Sequence, residues 1–67
     1  MDEETYASLL CRMIAASDQA KAGLAAKRID KAAMQELSRV AVEATKAGVN
    51  QRIADDYAKY VGLPRAS

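Results

Sequence analysis

The sequence predicts an all-α fold, a small three-helix domain in which the first two helices form an antiparallel hairpin and the third packs across them. Two observations carry this expectation. Apolar residues recur at spacings of three and four through three separate stretches, the period of a helix with one buried face. Between the stretches stand two corners built from capping residues, one at Ile29-Asp30 and one at Gly48-Val49-Asn50. Glycine adopts the left-handed conformation that closes a helix, and Asp or Asn accepts a hydrogen bond from an unpaired N–H of the next one.

The first helix is expected over about residues 3–27. Tyr6, Leu10, Met13, Ser17, Ala20 and Leu24 form its buried stripe, flanked by Leu9 and Ile14, while Ser8, Arg12, Ala15 and Gln19 fall on the opposite, wet side. Asp2, Glu3 and Glu4 at the start, with Lys21, Lys27 and Arg28 toward the end, complement the helix dipole. Gly23 is compatible with an earlier stop, as a C-terminal cap, whereas Ala25 and Ala26 favour continuation.

The second helix is expected over about 31–47, opening on Asp30 as N-cap, with Ile29 and Met34 placed as a hydrophobic staple across the cap. Its apolar face is Ala33, Met34, Leu37, Val40, Ala41 and Ala44, and it ends at Gly48. Val42 breaks the pattern: a step of about 100° per residue puts it beside Gln35, Arg39 and Lys46, on the solvated face. The third helix, about 51–61, repeats the device, with Asn50 as cap and Val49 and Ala54 as staple. Ile53, Ala54, Tyr57, Tyr60 and Val61 make its buried stripe. Arg52, Asp55, Asp56 and Lys59 face solvent, with Asp55–Lys59 and Arg52–Asp56 as i,i+4 pairs. Gly62 closes it, Leu63 folds back, and Pro64 forbids a restart.

Composition bounds the function. A chain of 67 residues holds one domain, and without Phe or Trp and with so much alanine its core is thin, so association is the first expectation. Cys11 is the single cysteine, which rules out an intrachain disulfide and points to a reducing cytoplasm. No apolar run approaches the ~20 residues of a membrane span, and the acidic Asp2-Glu3-Glu4 opening is unlike a signal peptide. The net charge of +1 supplies no general attraction to nucleic acid or acidic lipid.

No residue cluster spells out a reaction. With no histidine the usual general base and the commonest metal ligand are both missing, and Cys11 alone builds no thiolate site. Asp2, Glu3 and Glu4 read as dipole partners, and the adjacent Asp55 and Asp56 diverge by about 100° rather than converge on a proton or metal. The glycines are too far apart for a phosphate loop. Neither a cofactor nor a small-molecule substrate is expected, and the chain reads as a non-enzyme.

Two function classes are left. The first is a small helical interaction module, an adaptor, co-chaperone or regulatory inhibitor, that docks amphipathic helices on a larger protein or on itself as a homodimer. Its candidate interface residues are Leu9, Ile14, Val42 and Tyr60. The alternative is a DNA-binding regulator, because the corner at Ala47-Gly48-Val49-Asn50 resembles that of a helix-turn-helix. Gln51, Arg52, Lys59 and Arg65 would then contact nucleic acid, although Asp55 and Asp56 share that surface and oppose phosphate.

Overall fold

In the computed structural model, which describes residues 1–62, three helices follow one another: α1 (Glu3–Ala25), α2 (Lys31–Ala47) and α3 (Asn50–Gly62). α1 and α2 form the expected hairpin, and α3 packs on both at its open end. The expected fold-back of Leu63 and the stop at Pro64 lie outside the described residues.

Caps set the boundaries. Asp2 and Asp30 each accept a hydrogen bond on the side chain from an N–H three residues on, Thr5 at 2.7 Å and Ala33 at 3.0 Å. Those bonds satisfy donors that the first helical turn leaves open. α2 ends as expected at Gly48, whose φ of 73° lies in the left-handed region. The Val49 N–H donates to the Ala44 carbonyl at 2.9 Å and the Gly48 N–H to that of Thr45 at 3.2 Å, the paired bonds of a Schellman motif.

α1 closes with the same motif, but on a lysine. It stops at Ala25, two residues before the expected end at Lys27, and Lys27 takes the left-handed position with φ 62°. The Arg28 N–H donates to the Gly23 carbonyl and the Lys27 N–H to that of Leu24, both at 2.9 Å. Gly23 is therefore not the cap. It lets the returning chain cross closely, since a Cβ there would stand 3.2 Å from the Arg28 carbonyl oxygen and 3.4 Å from the Asp30 Cβ.

α3 starts one residue earlier than expected. The Val49 carbonyl accepts the Ile53 N–H at 2.8 Å, so Asn50 is already helical and does not cap. Its side-chain Nδ2 instead donates to Thr45 Oγ1 at 2.7 Å, tying α3 to the last turn of α2.

The core is Tyr6 and Leu9 from α1, Val40 and Ala44 from α2, and Ile53 from α3, with Leu10, Met13 and Val49 packed against it. Ala16 and Gly23 continue the α1 contact, and Ala33 that of α2. The buried face of α1 is thus rotated from the expected stripe. Arg12, expected in water, is half-buried over α2, where its guanidinium pairs with Glu36 at 2.8 Å and Glu43 at 2.9 Å. Leu24, expected inside, is exposed, as are Met34 and Ala41 of α2 and Ala54 of α3.

Candidate functional site

Leu9 is a correction to the expected interface: at 2% exposure it is a core residue and offers no surface. Ile14 is half-buried. Val42 and Tyr60 are open, at 51% and 42% exposure, and Val42 stands on the wet face of α2 where its spacing placed it. Tyr60, assigned to the buried stripe of the third helix, stands outside it, its ring 6.2 Å from that of Tyr57. Sequence reasoning missed a larger apolar surface at the α1–α2 turn, where Leu24, Ile29 and Met34 are 66%, 70% and 52% exposed. They gather around one hollow with Ala20 and Asp30. The signal available was the staple itself: Ile29 and Met34 are neighbours across the cap, but nothing from α3 reaches over them.

Of the residues expected to touch nucleic acid, Arg52 makes a contact between helices. Arg52 spans from α3 to α1 as a fork, donating to Glu3 Oε1 at 3.0 Å and Oε2 at 2.7 Å. Its guanidinium carbon lies 3.8 Å from the centre of the Tyr6 ring, a cation–π contact. Beneath it the Tyr6 hydroxyl donates to Asp56 Oδ2 at 2.5 Å. Asp56 is therefore half-buried and engaged rather than solvated, and Arg52 pairs with Glu3 rather than with Asp56. Asp55 accepts from Gln51 Nε2 at 3.0 Å in place of the expected Lys59. Lys59 is exposed, and Arg65 lies outside the described residues.

This four-residue clasp has a coherent electrostatic signature. Burial, then the hydrogen bond to the Asp56 carboxylate, pushes the Tyr6 phenol up to about 12, because both penalise a phenolate. The Arg52 fork holds the Glu3 carboxyl below its usual range and raises the guanidinium in return. Arg12 does the same for Glu36 on the other side of the hairpin. Asp2, bound to the Thr5 amide, is likewise lowered. The acidic opening segment thus divides its labour: Asp2 caps α1, and Glu3 forms an exposed ion pair with Arg52 of α3.

No family model, curated protein or solved structure matches this chain. The functional reading therefore stands on its own surfaces. Among the described residues no helix is long and apolar enough to cross a membrane.

Proposed function

We propose that this protein is a small, non-catalytic interaction module, acting as an adaptor, co-chaperone or regulatory inhibitor by docking its exposed apolar helix surfaces on a larger protein or on a second copy of itself. The observation that carries the reading is the placement of its large aliphatic side chains. Leu24, Ile29, Met34 and Val42 are each at least half exposed, whereas the buried hydrophobic residues among those described are Tyr6, Leu9, Val40, Ile53 and the alanines Ala16, Ala33 and Ala44. Apolar area left in water forgoes roughly 25 cal/mol per Å², so a partner that covers it binds favourably. Asp55 and Asp56 on the same surface as Arg52, with Glu3 beside its guanidinium, set negative charge against a phosphate and support this reading over DNA binding. The exposed thiol of Cys11 suits a reducing, cytoplasmic setting.

Sedimentation equilibrium tests the self-association arm. A concentration-dependent dimer that Val42→Asp weakens, with helical content retained, supports the module; a strict monomer that captures no protein from its host removes it.

A further inference from the structure

α3 covers only one end of the hairpin. Ile53, Arg52 and Asp56 reach the first turns of α1, and Val49 and Asn50 the last turn of α2, so among the described residues the opposite end, where α1 turns into α2, is left uncovered by α3. There Ala20, Leu24, Ile29 and Met34 enclose a hollow of about 180 Å³ with Asp30 at its edge. Close in sequence to its lining residues are Lys21, Lys27, Arg28 and Lys31, all exposed. Lys21 lies one turn before Leu24 and Lys31 one turn before Met34, so each flanks a wall of the hollow. None of the four makes an ion pair among the described residues. Between Ala20 and Met34 the one carboxylate is Asp30, whose Oδ1 is already taken by the Ala33 N–H.

The charge selects the occupant. Two copies meeting face to face through this patch would bring their cation rings together, and like charges across an interface repel. A lipid surface is entered by apolar groups that protrude, whereas a hollow receives a side chain inserted from outside. We infer that the turn end of the α1–α2 hairpin is a docking site for an acidic amphipathic helix of a protein partner. One large apolar side chain of that helix fills the space between Leu24, Ile29 and Met34, and its Asp and Glu residues meet Lys21, Lys27, Arg28 and Lys31. This rests on the interaction-module reading and adds the partner's chemistry to it. The apolar anchor supplies affinity, and the cation ring supplies orientation and a rate that falls with salt.

The experiment titrates the full chain with two designed peptide helices carrying leucines at i, i+3, i+4 and i+7, one flanked by glutamates and the other by lysines. Binding is read by anisotropy and by amide chemical shifts. The expected result is binding of the glutamate peptide with shifts centred on Leu24, Ile29 and Met34, and about tenfold or more weaker binding of the lysine peptide. Met34→Asp abolishes it at unchanged helical content, and the paired reversal Lys21→Glu with Arg28→Glu, which leaves the hollow intact, removes the preference between peptides. Equal affinity for both peptides, shifts centred on Val42 or Tyr60, or no binding overturns the proposal. Binding to phosphatidylserine vesicles, or a dimer, that Met34→Asp abolishes while the peptides bind nowhere also overturns it, in favour of a lipid surface or a second copy. Capture of a host protein equally by wild type and Met34→Asp would sink this surface while leaving the module reading in place.

Discussion

Replacing Tyr6 by phenylalanine separates the hydrogen bond of the clasp from its packing. The ring stays under the Arg52 guanidinium and within the core formed with Leu9, Val40, Ala44 and Ile53, so the apolar and cation–π contributions persist. What disappears is one O–H donor to a carboxylate at 2.5 Å. Hydrogen bonds to charged groups contribute roughly 1.5–3 kcal/mol, and because Asp56 is half-exposed and regains water when released, the cost falls at the lower end, about 1.5–2 kcal/mol. In a domain of this size each kcal/mol moves the midpoint by about 4–8 °C, so Tyr6→Phe should melt roughly 6–16 °C below wild type. The bond also sets a pH window. The folded phenol titrates at about 12 against an ordinary 10, so its contribution is complete below pH 10 and is lost as pH rises toward 12. Urea titrations followed by helical circular dichroism, at neutral pH and across that alkaline range, measure both. The wild-type advantage over Tyr6→Phe should shrink between pH 10 and 12. In a double-mutant cycle, Tyr6→Phe with Asp56→Ala should cost clearly less than the sum of the single changes. Additive costs, or a Tyr6→Phe variant within about 0.3 kcal/mol of wild type, would refute the clasp as a source of stability.

Other expectations follow from the same geometry. Lys27→Gly should raise stability by about 0.5–1 kcal/mol in urea, because a left-handed L-residue costs roughly 1–2 kcal/mol and glycine returns part of that gain to the unfolded chain; a loss would mean Lys27 is not held at positive φ. Gly48→Ala should cost about 1 kcal/mol through backbone strain alone, since a Cβ there meets nothing within 4 Å. Arg12→Met should lose less than about 1 kcal/mol, as its ion pairs are partly exposed. It should also flatten the acid limb of the stability profile: the lowered Glu36 contributes above the ordinary glutamate value of 4.5, and that contribution is lost as pH falls below it. Mixed-sequence duplex DNA should bind weakly in a fluorescence titration at low salt, and tight salt-sensitive binding abolished by Arg52→Ala would restore the helix-turn-helix reading.

What could be read from the chain was local. Asp30 and Gly48 mark their corners because a cap is a bond between near neighbours, and the three helices follow from apolar spacing. The rotation of α1 was not legible. Spacings of three and four from Tyr6 lead either to Leu10 and Leu24 or to Leu9, Ala16 and Gly23, and the second path is the one that lets helices approach closely on small residues. Arg12 can lie on that face because Glu36 and Glu43 meet it from α2 and offset the cost of partly desolvating its guanidinium. Asn50 has the chemistry of a cap, yet the closing motif at Gly48 already presents the Val49 carbonyl to the Ile53 amide and frees Asn50 to reach Thr45. The clasp joins Glu3 and Tyr6 to Arg52 and Asp56, partners too distant in sequence for any periodicity to pair. The open apolar end escaped notice for a related reason: an apolar stripe reports which residues want cover, and only the docking position of α3 decides which receive it.

The most direct measurement of the central claim is affinity capture from the native host with wild type, Met34→Asp and Val42→Asp as parallel baits of equal helical content. The interaction-module account predicts one stoichiometric protein on the wild-type bait, lost from at least one of the two surface variants. Recovery of defined DNA fragments in its place, or of the same protein in equal amount on all three baits, would contradict it.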